Sequence, residues 1–282
     1  GLSRLRVSAY RQRGSWAAVI RVVAFEIPSP EAMAIPPQVM RLAEKNVGLV
    51  LVTGPAGGGK STTQACIIHA INQRRNGHIV TLEDPIEFLH RNVKSIVSQR
   101  EIGQDTESSL TGLRACLRQA PDVILLGEMR DYETIKTAMT AAETGHLVIS
   151  TLHTVGTVNT IDRIIDVFPP NQQQQVRVQL AMTLASVVSQ QLLPQNGGGQ
   201  IPAFEIMHVT PGIRNMIREG KTYQIDNMIQ TCQAQGMIPM DGYIFSLYER
   251  GRISGETALK YAMAPDQMER RLYPQGQGKP CL

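Results

Sequence analysis

Residues 49–63 read LVLVTGPAGGGKSTT: an apolar run, a burst of glycines, a lysine and three hydroxyl residues. No other stretch limits the fold as much. Residues 54–61 fit G-x-x-x-x-G-K-[ST], a pattern that carries meaning where it follows a strand and opens a helix. The flanks supply that context. Glycines let backbone N–H groups curl around phosphate oxygens, and the helix N-terminus adds favourable partial charge. Gly54, Pro55, Ala56, Gly57, Gly58 and Gly59 form the candidate cradle, and Thr62 completes the nucleotide-binding run. Lys60 is placed to reach the β- and γ-phosphates, and the Ser61 hydroxyl to hold Mg²⁺.

The remaining sequence supplies the sheet that such a loop needs. LVLVT (49–53), HIVTLE (78–83), SIVSQ (95–99), VILLGE (123–128) and LVISTLH (147–153) read as strands, and 60–72, 108–120 and 132–144 as helices. Nearly unbroken apolar runs suit strands covered on both faces. Strand–helix alternation predicts an α/β fold around a mostly parallel sheet. Upstream, RLRV (4–7) and AAVIRVVAF (17–25) read as strands joined by the turn YRQRGSW. The prolines of IPSPEAMAIPP (27–37) mark a linker, since they continue neither a helix nor a central strand. From about residue 211 the pattern changes to short helices: GIRNMIREG, IDNMIQTCQAQG, DGYIFSLYERG and SGETALKYAM. Several end at glycine, as helices often do.

Composition narrows the class. At 282 residues the chain holds about two domains, on a prior of roughly 100–200 residues each. Its 42% hydrophobic and 18% charged residues are those of an ordinary globular protein. The net charge of +4 neither demands a nucleic-acid partner nor excludes one. Cys66, Cys116, Cys232 and Cys281 are far apart with no CxxC pair, which speaks against a zinc knuckle. No apolar run approaches the ~20 residues of a membrane helix, and no secretory signal opens the chain. The chain starts at Gly1 directly in an alternating pattern, which suggests a fragment without its true N-terminus.

Hydrolysis needs a carboxylate on the metal, a group that orients water, and cations for the transition state. PDVILLGE (121–128) ends an apolar strand with Glu128, an acid aimed at the crevice where ligands bind in such sheets. TLEDPIEF (81–88) clusters Glu83, Asp84 and Glu87 at the end of a second strand, a candidate water-activating site. GHLVISTLHT (145–154) brings His146 and His153 to the two ends of a third, and His153, at the C-terminal end, is the candidate phosphate sensor.

Together LVTGPAGGGKSTT, TLEDPIEF, PDVILLGEMRDYETI, AAETGHLVISTLHT and TPGIRNMIRE resemble the secretion ATPases of type II and type IV systems. Within them the chain is most similar to the PilT-like retraction ATPases of type IV pili. The resemblance implies a RecA-like P-loop ATPase core with a mostly parallel central sheet, a C-terminal helical subdomain and a truncated N-terminal PAS-like remnant. The divisions it implies are 1–27 for the remnant, 28–37 for the linker, 38–210 for the core, 211–272 for the helical subdomain and 273–282 for a disordered tail. It implies ATP and Mg²⁺ as cofactors, Glu83 as general base and Glu128 as a metal-side acid. Arg6 and Arg21 from the N-terminal strands, and Arg118 and Arg130 from the ATPase domain, match the arginines that close on the γ-phosphate in relatives. The implied assembly is a cytoplasmic homo-hexamer at the inner-membrane face, held there through a pilus platform protein, with no nucleic-acid partner.

Residues 210–221, TPGIRNMIREGK, resemble the box that distinguishes retraction ATPases, and no tetracysteine zinc module of the assembly and type II secretion ATPases is present. Helical spacing predicts Ile213, Met216 and Ile217 inward and Arg214, Arg218 and Glu219 outward. The alternatives are a pilus-assembly or type II secretion ATPase, or a non-catalytic nucleotide-binding paralogue. Two positions depart from the family pattern: Gly58 where serine is usual, and Ala120 where aspartate is common.

Overall fold

The structure is a computed structural model that describes residues 4–23 and 26–273, apart from the side chains of Arg4, Arg21 and Val23. The expected tail lies, beyond Tyr273, outside the described residues, as do Cys281 and the last two residues of the strand expected over 17–25.

The N-terminal segment is a hairpin of β1 (Arg4–Gln12) and β2 (Ser15–Val23), paired from Arg4↔Val23 to Gln12↔Ser15. Its turn is much tighter than the seven residues expected. Arg13 and Gly14 both take positive φ, 49° and 79°, which matches the right-handed twist of a two-residue hairpin loop. Pairing therefore continues through Tyr10 to Gln12, and the Arg11 guanidinium lies 4.8 Å from the ring centre of its cross-strand partner Trp16. Leu5, Val7, Trp16, Ile20 and Val22 are all exposed.

After the proline-rich linker and the short α1 (Pro37–Met40) comes the main sheet. In chain order its parts are β3 (Gly48–Thr53), α2 (Lys60–Arg74), β4 (His78–Glu83), β5 (Ile96–Glu101), α3 (Ser109–Cys116) and β6 (Val123–Leu126). There follow α4 (Tyr132–Glu143), β7 (Leu147–Leu152), α5 (Thr157–Asp166), α6 (Pro170–Thr183), β8 (Leu184–Pro194) and β9 (Gln200–His208). The spatial order is β5-β4-β6-β7-β3-β8-β9, parallel throughout except that β9 runs against β8. The α/β fold with a mostly parallel sheet is thus as expected.

The unbroken apolar runs are explained by burial on two faces. Leu49 and Leu51 of β3, Val80 and Leu82 of β4, and Ile124 and Leu126 of β6 face α3–α6. Val50 and Val52, Ile79, and Val123 and Leu125 face α2, which supplies Ile67, Ile68 and Ile71. Each such side chain contributes about 1.5–3 kcal/mol on burial.

Helix α3 stops at Cys116, short of the expected residue 120. Its last turn tightens through Arg118 N–H donating to Ala115 O and Gln119 N–H to Cys116 O, and Ala120 then turns left-handed at φ 49°. The C-terminal helices are α7 (Pro211–Glu219), α8 (Ile225–Thr231), α9 (Met240–Glu249), α10 (Gly255–Tyr261) and α11 (Pro265–Leu272). On α7, Ile213 and Ile217 are buried and Met216 packs beside them, with Arg214, Arg218 and Glu219 outside, as the spacing predicts. Ile213, Ile217, Ile225 and Ile229 join the core beneath α4–α6, while α9–α11 pack on Leu193, Ile201 and Ala203 of β8 and β9.

Candidate functional site

The C-terminal ends of β3, β4, β6 and β7 meet around one cavity of about 330 Å³, whose walls include Lys60, Ser61, Glu83, Glu87, Glu128 and His153. A parallel sheet places strand ends together at one edge, so residues distant in sequence converge.

The loop 54–59 bends because three of its glycines hold conformations that side chains resist. Gly54, Gly57 and Gly59 have φ of 143°, 73° and 82°, and Gly59 is the residue that opens α2. A Cβ on Gly54 would stand 2.0 Å from the Gln190 carbonyl oxygen of β8. Gly58 needs no unusual φ; its Cβ would meet Pro55 O at 3.0 Å and Gln190 O at 3.3 Å, so a side chain there requires a small local shift. Lys60 is buried, and its Nζ donates to Gly54 O (2.9 Å) and Pro55 O (2.8 Å) and lies 3.4 Å from His153 Nδ1. Burial lowers its proton affinity, and Glu128 and Glu87 oppose that effect.

Glu128 stands beyond the end of β6, where its Oε2 accepts from Arg130 Nε at 2.7 Å and its Oε1 lies 3.2 Å from His153 Nε2. His153 therefore bridges Lys60 and Glu128. Glu83 is the last residue of β4, and Thr81 Oγ1 (2.6 Å) and Gln99 Nε2 (3.1 Å) both donate to its Oε1. Burial pushes its carboxyl up from the ordinary 4.5, while the Thr81 and Gln99 donors and the Glu87 backbone N–H pull it down.

Of residues 54–62, Ala56, Gly57, Lys60 and Ser61 line this cavity, whereas Gly54, Pro55, Gly58, Gly59 and Thr62 do not. Thr62 faces a second, mostly apolar slot of about 320 Å³ across the N-terminus of α2, between Met33 of the linker and Leu192 of β8, with Arg252 also on its wall. Arg130 lines the cavity, but exposed Arg118 and Arg6 do not. Arg6 is the register partner of Arg21, whose side chain lies outside the described residues. His146 sits at the opposite edge of the sheet, with Nδ1 2.9 Å from Ala141 O at the end of α4.

Four residues without an assigned role in the sequence reading brace or line the site. Gln190 is buried in β8; its carbonyl backs the loop and its Oε1 accepts from Thr63 Oγ1 at 2.7 Å. Thr81 and Gln99 brace Glu83. Gln64 is buried on α2 with Nε2 lacking a hydrogen-bond partner among the described residues, and of the four it alone lines the cavity. Polar residues inside HIVTLE and SIVSQ, runs otherwise fit for burial, are the signal that Thr81 and Gln99 leave in the sequence.

Comparison with known proteins gives consistent findings. The family described as "Type II/IV secretion system protein" matches residues 29–236. The chain is 47% identical over 268 residues to the twitching motility protein of Neisseria gonorrhoeae, covering 95% of this chain and 72% of that one. It is 46% identical over 266 residues to the type IV pilus retraction ATPase PilT of Pseudomonas aeruginosa, covering 94% and 77%. A crystal structure of the pilus retraction motor PilT with bound ADP matches with a TM-score of 0.91 at 47% identity, over 96% of this chain and 77% of that chain.

Proposed function

The chain belongs to the type II/IV secretion system protein family, and from that premise we propose that it is an ATPase that powers type IV pilus retraction. The observation that carries this reading is a complete phosphate-and-acid cavity in a chain 46% identical, over 94% of its length, to a retraction ATPase.

The phosphates of ATP lie across residues 54–61, held by backbone N–H groups, the start of α2 and the Lys60 ammonium. The nucleoside extends past Thr62 into the second slot, where Met33 and Leu192 offer apolar walls to a flat ring. Ser61 and Glu128 are the residues that hold Mg²⁺. Bound there, Mg²⁺ supplies neutralising charge at the β- and γ-phosphates. Glu83 orients the attacking water and takes its proton, and burial brings its proton affinity closer to the working pH. His153, between Lys60 and Glu128, senses the γ-phosphate by exchanging those contacts for it.

Arg130 stands beside the phosphates in the same subunit. Arg6 and Arg21 close the site from the hairpin of a neighbour, and Arg118 completes the cationic set. Such arginines stabilise transition-state charge and couple hydrolysis to subunit motion. The working assembly in this reading is a homo-hexamer in the cytoplasm. It engages a pilus platform protein at the inner-membrane face through the polar side of α7, and it has no nucleic-acid partner. Among the described residues no helix is long and apolar enough to cross a membrane.

The purified protein is expected to hydrolyse ATP with Mg²⁺, and Lys60→Ala to lose about 10²-fold or more of that rate. Deletion of the gene is expected to leave hyperpiliated cells that do not twitch. Bald cells would assign the protein to pilus assembly instead, and an inactive purified protein would make it a regulatory paralogue.

A further inference from the structure

Glu83 does not hold its own position. In the register of β4 against β5, Thr81 stands opposite Gln99, so both lie two residues behind the Glu83 end of the pair. Their side chains reach forward to the same carboxylate oxygen: Thr81 Oγ1 at 2.6 Å and Gln99 Nε2 at 3.1 Å. Gln99 does more than Thr81. Its Nε2 also donates to Phe88 O at 2.9 Å, and its Oε1 accepts from His90 N–H at 2.7 Å. The amide orientation follows from these partners, because two acceptors face the nitrogen and one donor faces the oxygen. One side chain thus ties the end of β4 to the turn that follows it. That turn also carries Glu87, whose backbone N–H lowers the Glu83 carboxyl's proton affinity. Gln99 itself is not on the cavity wall, whereas Phe88 and His90 are.

We propose that Gln99 is a positioning residue for hydrolysis: its carboxamide fixes the direction of the Glu83 carboxylate and locks it to the turn at 86–90. The proposal rests on the reading of Glu83 as general base. A donor held against a carboxylate favours its ionised, proton-accepting form. Burial and Glu87 act the other way, and the other titratable groups on the same cavity wall are Lys60 from α2, Asp84 beside Glu83, His90 in the turn, Glu128, Arg130 and Asp131 beyond β6, and His153 beyond β7, with Glu101 opposite Glu83 on β5. Removing the Gln99 donor therefore leaves Glu83 harder to ionise and with Thr81 as its one side-chain brace, without touching the phosphate loop.

The test is the pH–rate profile of Mg²⁺-ATP hydrolysis by the whole protein, with ATP binding measured separately. For Gln99→Leu, kcat at pH 7 is expected to fall about tenfold or more, with the acid limb moved up by about one pH unit, the size expected for one hydrogen bond to a charged group. The KM for ATP is expected to stay within about twofold, since uniform binding is unaffected. Gln99→Glu keeps an acceptor for the His90 N–H but presents a like charge, so its acid limb should move further in the same direction. It carries the test if Gln99→Leu does not fold. Thr81→Val, losing the other donor, should shift the limb the same way. Glu83→Gln separates the two ideas. If that variant hydrolyses normally, the general-base reading falls and this proposal with it. If Glu83→Gln is inactive while both Gln99 variants keep the wild-type kcat and acid limb, Gln99 is a staple of the turn and the positioning role is overturned alone.

Discussion

The phosphate wall of the cavity is main chain, whereas the acid wall is side chain. Along 54–59 the geometry comes from glycine φ values and from the approach of β8 at Gln190. Around Glu83 it comes from hydroxyl and amide donors on β4 and β5. The first wall is governed by shape: it has no room for a Cβ at its tightest point. The second is governed by electrostatics, and the same volume can be kept while the chemistry is lost. Their sensitivities to substitution should therefore be opposite.

The sharpest way to break that contrast is Gly54→Ala. The new Cβ would meet the Gln190 carbonyl oxygen at 2.0 Å with φ at 143°, so the loop or β8 must move. We expect a loss of about 3 kcal/mol or more of stability together with nucleotide binding, read by thermal melts with and without ATP. Unchanged melting and binding would show that the loop is not shape-limited.

Glu83→Gln, nearly isosteric, should instead fold and bind ATP while kcat falls about 10²–10⁴-fold. It also has a sign on stability. The Glu83 carboxyl is raised above its ordinary 4.5 in the folded state, so the native protein binds this proton more tightly than the unfolded chain. That contribution is full below pH 4.5 and is lost as pH rises through the raised folded value. At neutral pH the variant should melt higher than the parent, and the gap should close toward pH 4. A variant that melts lower at neutral pH would contradict the cause given for the shift.

The smallest expected effect lies behind the acid wall. Ala120, just before the strand that leads to Glu128, holds φ at 49°, where a non-glycine residue is strained. Ala120→Gly should stabilise by about 0.5–1 kcal/mol net of its greater unfolded-state entropy and leave ATPase activity unchanged. Aspartate, which the family resemblance leads one to expect here, tolerates the left-handed region better than alanine. A drop in activity would show that backbone shape matters on this wall as well.

The same contrast decides how much could be read from the sequence. The phosphate wall was legible because its requirement is a residue type at fixed spacing, and β3, β4, β6 and β7 were legible because both their faces are apolar. The strand ends carrying Glu83, Glu128 and His153 follow from that reading. β8 and β9 are harder to see, since Ser186, Ser189, Gln190, Gln191 and Glu205 interrupt their apolar pattern although all are buried. Each of these polar groups is interior because of a partner distant in sequence, as Gln190 is for Thr63 and Glu205 for the Thr157 N–H that it accepts at 2.7 Å. Gln99 is hidden for the same reason. Its value lies in contacts to Glu83, Phe88 and His90, and only the strand register brings those together. The hairpin turn is shorter than its sequence suggests because the polar run YRQRGSW looks like a loop, yet its ends continue the ladder on either side of Arg13 and Gly14.

The closeness of β8 to Gly54 has a consequence at the level of the gene. Every amino-acid change available to a glycine codon introduces a Cβ, so position 54 has no missense neighbour that avoids the Gln190 carbonyl. Position 58 is different, because an ordinary φ and contacts of 3.0–3.3 Å let a small residue in after slight adjustment. Within one run of six residues, mutation meets a closed door at the first glycine and a door ajar at the fifth position. The serine that the family resemblance leads one to expect would stand at the second of these, where a small side chain needs only a slight shift of its neighbours.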